Sequence, residues 1–116
     1  MKADVSEFLP LAPAALHILL ALAGEDLHGY GIMQEIVRQS NDQYRLGPGT
    51  LYDNIARLMQ NGMVEEVVGP EPENSRRRYY RLTAQGRAVL SGEIARLEGV
   101  VRDGRLRLSV GRARRV

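Results

Sequence analysis

Apolar residues recur at helical spacing in three stretches of the first half of the chain. Residues 11–23 form the first stretch, in which Pro13 suits an opening turn and Gly24 suits an end. An apolar stripe at helical spacing runs along it and consists of Leu16, Leu19, Leu20 and Ala23. Nearly every other position of this helix is apolar too, and such a helix needs more cover than one small domain provides. This pattern indicates a partner subunit.

The second and third helices are amphipathic and are joined by a polar connection, SNDQYRLGPG, at residues 40–49. The second begins at Asp26 or His28, and its apolar positions are Tyr30, Ile32, Met33, Ile36 and Val37. The third covers residues 48–61, and its apolar stripe is Leu51, Ile55 and Leu58. The opposite arc of the third helix is polar: Thr50, Asp53, Asn54, Arg57, Gln60 and Asn61.

The second half of the chain begins with two strand candidates. Residues 63–68 are rich in valine, residues 69–75 form a break, and residues 76–82 read RRRYYRL. The two runs predict a β-hairpin. Tyr80 shares a strand face with Leu82, which favours core packing for its ring.

A last helix is predicted from residue 84 to about residue 103, with Thr83 as its cap. Its apolar residues are spaced four, three and four apart, as in a heptad seam: Leu90, Ile94, Leu97 and Val101. Together with Leu16 and Leu20 of the first helix, this seam predicts a homodimer interface. Residues 105–116 form a basic tail, either a DNA-binding arm or disordered.

Charge divides the chain unevenly. Residues 1–73 hold four basic and eleven acidic residues, whereas residues 74–116 hold twelve arginines and three acidic residues. The formal charges of the two parts are therefore −7 and +9 within a total of +2. Such asymmetry favours a polyanion as partner of the basic part.

The sequence lacks the residues that several classes of function require. Cysteine is absent, the two histidines have no carboxylates at metal-ligand spacing, and neither a nucleophile elbow nor a phosphate-binding Gly-Lys loop occurs. No metal, cofactor or catalytic residue is therefore expected, and the chain is not expected to be an enzyme. The N-terminus does not resemble a signal peptide, and no apolar run reaches the length of a membrane span, so a cytoplasmic protein is expected.

The order of elements predicts a mainly α fold with a small β-hairpin, α-α-α-β-β-α, which is a winged helix-turn-helix. Its second and third helices form the helix-turn-helix, and the third would enter the major groove of DNA. Asn54, Arg57, Gln60 and Asn61 are chemically suited to base edges. The arginine-rich hairpin beside them is suited to phosphates.

Four motifs carry a family resemblance: HGY at 28–30, PGTLY at 48–52, LMQNGMVEE at 58–66 and RRRYYRLTAQGR at 76–87. At these residues the chain resembles the PadR family of winged-helix transcriptional regulators, in the compact branch with one helix after the wing. The resemblance covers about residues 11–97. It implies a homodimer that pairs its last helix with the partner's first helix. It also implies binding to a two-fold symmetric operator, usually as a repressor.

The resemblance also implies roles for single residues. On the recognition helix, the residues facing or flanking DNA would be Gly49, Thr50, Tyr52, Asn54 and Arg57. On the wing, the contacts to phosphate or the minor groove would come from Arg76, Arg77 and Arg78. The Tyr52 ring lies at the border of the apolar face, so its hydroxyl either reaches a phosphate or stays over core residues.

The domain organisation follows from these assignments. Residues 1–83 would be the DNA-binding domain, residues 84–104 the dimerisation helix, and residues 105–116 the tail. A winged helix can instead serve as a protein-interaction module, because fold alone does not fix function. The sequence leaves open whether a small-molecule effector regulates the protein.

Overall fold

The structure, a computed structural model, describes residues 4–71 and 77–114, the last three through their backbone only. The elements in chain order are a 3-10 helix (Val5–Phe8), α1 (Pro13–Gly24), β1 (Leu27–His28), α2 (Gly29–Gln39), α3 (Pro48–Gln60), β2 (Val64–Val67), β3 (Tyr79–Leu82) and α4 (Ala84–Arg114). The predicted winged helix-turn-helix order is confirmed. The 3-10 helix and β1 are additions that the sequence patterns did not reveal.

The core lies where the first three helices meet the sheet and the start of α4. The predicted α3 stripe of Leu51, Ile55 and Leu58 is buried there, as expected. The buried residues of α1 are Ile18, Leu19, Ala21 and Leu22, so only Leu19 of the predicted apolar stripe is buried. An almost uniformly apolar helix has no polar face to indicate which side turns inward.

The sheet has the strand order β1-β3-β2, and both pairings are antiparallel. Tyr79 of β3 pairs with Val67 on one side and with His28 on the other. The predicted second strand, residues 76–82, is thus shorter than expected, since strand structure begins at Tyr79. Val67 is the last residue of β2, so Arg77 and Arg78 lie beyond the paired ladder. Arg76 is outside the described residues.

The turn between α2 and α3 is held by local hydrogen bonds and one ring stack. Asn41 and Asp42 adopt left-handed backbone angles, with φ of 52° and 66°, which these residue types tolerate. Tyr44 stacks on His17 of α1, with ring centroids 4.3 Å apart. Pro48 then opens α3 in its first turn, where a missing N–H costs no helical hydrogen bond. The predicted start of this helix is confirmed.

The last helix is longer than its sequence indicates. It was expected to end near residue 103 and to be followed by a tail, but α4 continues to Arg114. An ion pair between Arg107 and Asp103, with 2.8 Å between Nε and Oδ2, bridges one turn across the expected end. Leucine and arginine are good helix formers, which offsets the weak propensity of Gly104.

A buried carboxylate ties the N-terminal segment to α4. Glu93 is only 1% exposed. One of its oxygens accepts a hydrogen bond from the backbone N–H of Leu11 at 2.9 Å, and Arg96 donates to both oxygens at 2.6 and 3.0 Å. The bond from Arg96 is the main cause that lowers the pKa of Glu93, and burial opposes it. The ionised form is therefore part of the fold.

Glu93→Gln should lower the free energy of unfolding at pH 7 by about 1–3 kcal/mol, because the amide keeps an acceptor for Leu11 but loses the charge that Arg96 contacts. The folded-state pKa lies below the ordinary value of 4.5, so this stabilisation is present above that pH and is lost as the pH falls below it. Urea unfolding from pH 7 to pH 3 measures the effect. A difference between wild type and variant that stays constant over this range would contradict it.

Candidate nucleic-acid interface

The first turn of α3 is exposed and bare. Gly47 is its cap without a side-chain hydrogen bond, and Gly49 and Thr50 are both exposed. A Cβ atom added at Gly47 or Gly49 would meet nothing within 4 Å. The unpaired N–H groups at the positive end of this helix can therefore approach an anion closely.

An open pocket of about 440 Å³ joins the helix-turn-helix to the wing. We call it the wing pocket, and its lining residues are His28, Gly29, Tyr30, Tyr52, Arg77, Arg78 and Tyr80. It contains side chains from β1, α2, α3 and β3 with the segment before it. Three of the predicted DNA-binding residues, Tyr52, Arg77 and Arg78, are thus brought together, although 25 positions separate Tyr52 from Arg77.

Tyr52 occupies the space that a side chain at position 29 would need. A Cβ atom at Gly29 would lie 2.1 Å from the Tyr52 hydroxyl oxygen and 2.7 Å from Cζ. The glycine of the HGY motif therefore permits α2 and α3 to place a tyrosine between them. Tyr52 remains 47% exposed and lines the wing pocket. Tyr80 is 4% exposed, and its predicted core packing is confirmed.

Hydrogen bonds organise the wall of the wing pocket nearest the wing. Nη1 of Arg77 lies 3.0 Å from Nε2 of His28 and 3.7 Å from the Glu71 carboxylate. The Tyr79 hydroxyl donates a hydrogen bond to that carboxylate. This bond raises the pKa of Tyr79 and lowers the pKa of Glu71. Glu71 therefore stays ionised and positions both the tyrosine and the arginine.

Arg81, the arginine within β3, does not line the wing pocket. Arg81 forms a forked ion pair with Asp26, in which Nη2 and Oδ2 are 2.8 Å apart. This pairing links β3 to the segment before β1. The basic surface next to α3 thus depends on Arg77 and Arg78 among the described residues of the wing.

Asn54 and Arg57 lie on the other flank of α3 from the wing pocket. Together with Asn61 they border a cleft of about 180 Å³ against the N-terminal segment, which contributes Phe8 and Leu11. Asn54 is half-buried, and its side-chain amide donates to the Thr50 carbonyl at 2.8 Å. Arg57 is exposed. Thus α3 separates two predicted contact groups rather than presenting them on one side.

The wing pocket also includes four residues that the sequence did not assign to DNA contact: His28, Gly29, Tyr30 and Tyr80. Part of the HGY motif has a structural role. His28 is indeed the cap of α2, since its Nδ1 accepts the Gly31 N–H at 3.0 Å. Only the pairing of β1 with β3 brings the other ring nitrogen to Arg77. The feature of the sequence that comes nearest to predicting this pocket is the joint occurrence of the HGY and PGTLY motifs.

The predicted dimer residues divide into three groups by their exposure. Ile94, Leu97 and Val101 line an exposed groove of about 500 Å³ on α4, which we call the α4 groove; its other lining residues are Glu98, Arg102 and Arg105. Leu16 and Leu20 are half-buried on α1. The assignment of Leu90 to the dimer interface is corrected, because this residue is 5% exposed and packs in the core of its own chain. Its side chain has little surface left for a partner.

The helix-turn-helix of α2 and α3, followed by a wing, defines a winged helix-turn-helix protein. The profile of the Transcriptional regulator PadR-like family matches residues 18–92. The chain belongs to this family, as its motifs predicted, and is a transcriptional regulator rather than an enzyme.

Three known proteins illustrate the likeness. Transcriptional regulator Rv3488 of Mycobacterium tuberculosis (strain ATCC 25618 / H37Rv) is 37% identical over 95 residues, which cover 79% of this chain and 82% of that protein. The structure of a transcriptional regulator from Clostridium thermocellum, Cth-833, has a TM-score of 0.68 and 28% identity, covering 88% of this chain and 92% of that chain. Bacillus subtilis PadR in complex with operator DNA has a TM-score of 0.64 and 19% identity, covering 73% of this chain and 48% of that chain.

Two kinds of feature do not occur within residues 4–71 and 77–114. No helix there has the length and apolar character needed to cross a membrane. The same residues contain no group of three histidine or acidic side chains placed to hold a metal ion.

Proposed function

We propose that the protein is a cytoplasmic homodimeric repressor that binds a two-fold symmetric DNA operator. The observation that carries the proposal is the wing pocket, where Arg77 and Arg78 meet Tyr52 beside the exposed first turn of α3. Basic groups next to the positive end of a helix favour an anionic backbone. Family membership supports the same conclusion, as does the DNA bound to the structurally similar Bacillus subtilis PadR.

The homodimer rests on the exposed apolar surface of α4. Ile94 is 41% exposed and Val101 is 50% exposed, and they lie along one side of the helix. An exposed apolar stripe of this kind is typical of a protein interface. A symmetric dimer would place two copies of α3 on adjacent turns of DNA, which requires an operator with matching symmetry.

Selection of bound sequences from random double-stranded DNA tests this proposal. We expect enrichment of one motif with two-fold symmetry, with half-sites about 10 base pairs apart or a multiple of that distance. An enriched motif without symmetry would contradict the dimeric operator. A selection that enriches nothing at low salt would contradict DNA binding and would favour the protein-interaction module instead.

The two flanks of α3 should have different effects on binding. Arg77→Ala should weaken binding to all sequences alike. The slope of log affinity against log salt concentration should become shallower by about 0.9 for each phosphate that the variant no longer neutralises. Arg57→Ala or Asn54→Ala should instead relax base preference by about 1–3 kcal/mol at one position. Affinities for the selected motif and for a scrambled duplex, measured at several salt concentrations, separate these outcomes.

Arg107→Ala is the matched control, because Arg107 is an exposed arginine on α4 with its own ion pair to Asp103. It should leave both affinities unchanged. Equal, unselective losses of affinity from Arg57→Ala and Arg77→Ala would refute the division of roles between the two flanks.

A further inference from the structure

The cleft of about 180 Å³ between α3 and the N-terminal segment has an apolar floor and a polar rim, and we call it the α3 cleft. Its floor includes Leu58 and Met63, which are 4% and 2% exposed. Its rim consists of the exposed Arg57 and Asn61 and the half-buried Asn54. No acidic side chain of the described residues lines this cleft, so the charge that its wall presents is the positive charge of Arg57.

The rim of the α3 cleft is suited to a carboxylate. Its three polar residues are spaced three and four positions apart, which places them on one side of α3. The Arg57 guanidinium forms no hydrogen bond or ion pair within residues 4–71 and 77–114. Its planar fork of donors matches the two oxygens of a carboxylate, and the amide groups of Asn54 and Asn61 add further N–H donors.

The wall opposite α3 is held in place by contacts within the chain. Leu11 lines the cleft and donates its backbone N–H to Glu93 at 2.9 Å. Phe8 ends the 3-10 helix and packs against the hydrophobic core. A site whose walls are already ordered loses little conformational entropy on binding. An apolar cavity of about 150 Å³ takes up benzene, so the α3 cleft has room for a body of about six carbon atoms.

We propose that the α3 cleft binds a small aliphatic carboxylic acid of about six carbons, whose carboxylate contacts Arg57 and whose chain lies against Leu11, Leu58 and Met63. Apart from Phe8, the apolar lining is aliphatic, which suits a flexible chain. An inorganic anion would leave this apolar surface uncovered, whereas the proposed ligand buries it. The site lies on α3 and shares no lining residue with the α4 groove.

The bound acid would compete with DNA. Asn54 and Arg57 are the residues proposed to contact base edges, and a carboxylate on Arg57 occupies the same donors. This step rests on the proposed function and adds an effector that releases the operator. For simple competition, an acid at ten times its dissociation constant should lower the affinity for DNA about 10-fold for each protomer that must be free of it.

Methionine methyl signals measure the binding without DNA. Met63 lines the α3 cleft, whereas Met33 lines a separate pocket beside α2 and serves as the internal control. With isotope-labelled methionine methyl groups, hexanoate should shift the Met63 signal in a saturable manner and leave the Met33 signal unchanged. Eight non-hydrogen atoms limit the affinity to roughly the micromolar to millimolar range, so the titration extends to about 10 mM.

Hexanamide is the matched neutral ligand, because it has the same chain and the same number of non-hydrogen atoms. It should bind the wild type about 10-fold or more weakly than hexanoate does, since the hydrogen bonds to a charged acceptor are lost. Arg57→Gln should weaken hexanoate by a similar factor and leave hexanamide nearly unchanged. Arg57 is exposed, so this variant should keep the fold.

Ala15→Leu separates release of the operator from unspecific effects of the acid. Ala15 lines the α3 cleft from α1, and the larger side chain should fill the space that the ligand needs. The variant should bind the selected duplex as the wild type does, but hexanoate should no longer weaken that binding. The unfolding temperature of the variant verifies that the fold is kept.

The outcomes distinguish this inference from the proposed function. A Met63 signal that does not shift, or that shifts without saturation, would overturn the ligand site. Equal affinities for hexanoate and hexanamide would overturn the contact between the carboxylate and Arg57. Saturable binding of hexanoate that leaves operator affinity unchanged would overturn the competition. If no duplex binds while hexanoate does, the proposed function is wrong and the ligand site stands.

Discussion

Gly86→Ala should destabilise the protein by about 3 kcal/mol or more, a large part of the stability of a small domain. A Cβ atom at this position would lie 2.1 Å from the carbonyl oxygen of Met63 and 2.8 Å from Cδ1 of Leu82. The first contact is with the backbone at the start of the wing, which cannot rotate away as a side chain can. The start of α4 and the wing would have to separate.

Gly99→Ala is the matched control for this prediction. It makes the same substitution in the same helix, but a Cβ atom there would meet nothing within 4 Å. Alanine should therefore stabilise α4 by up to about 1 kcal/mol through its higher helix propensity. Thermal or urea unfolding should show shifts of opposite sign, and similar shifts for both variants would contradict the close approach at Gly86.

Val101→Glu should convert the proposed homodimer into a monomer and lower affinity for the selected operator about 100-fold or more. Val101 lies in the centre of the α4 groove and is half-exposed in the isolated chain. A carboxylate there would lose its hydration against apolar side chains in a dimer, which is costly even with Arg105 one turn away. A monomer would bind one half-site and would lose the gain that comes from linking two binding modules.

The isolated chain should tolerate this substitution. Arg105 is four residues further along α4, so a glutamate at position 101 has a favourable helical neighbour. Leu106→Glu is the control, since Leu106 is 62% exposed and lies about 140° around the helix from Val101. Light scattering gives the molecular mass of each variant. A monomeric Leu106→Glu with a dimeric Val101→Glu would place the interface on the opposite side of α4.

The sequence determined the elements whose patterns are local. The helical spacing of apolar residues was sufficient to predict the inward face of α3, where Leu51, Ile55 and Leu58 are buried as expected. The start of that helix was correctly predicted at residue 48, since Pro48 occupies its first turn. The motifs also identified the family, which the comparison with known proteins confirms.

The local patterns did not predict the structure where more than one arrangement of the chain satisfied them equally well. On α1 most positions are apolar, so the sequence did not indicate that Ile18, Ala21 and Leu22 would be buried. Leu90 fits a heptad seam and a protein core alike, and packing within the chain decided for the core. The end of α4 was placed too early, because one glycine is a weak stop when its neighbours favour a helix.

Only the tertiary structure decided which distant residues meet. The antiparallel pairing of β1 with β3 places His28 beside Arg77, which follows it by 49 positions. Glu93 reaches the backbone of Leu11 across 82 positions for the same kind of reason. Such contacts depend on how complete elements pack against one another, and no periodicity along the chain records that arrangement. Residue type and local spacing determined the helices and the wing. The geometry of the wing pocket depends on the sheet, because the pairing of its strands brings distant residues of the helices and the wing together.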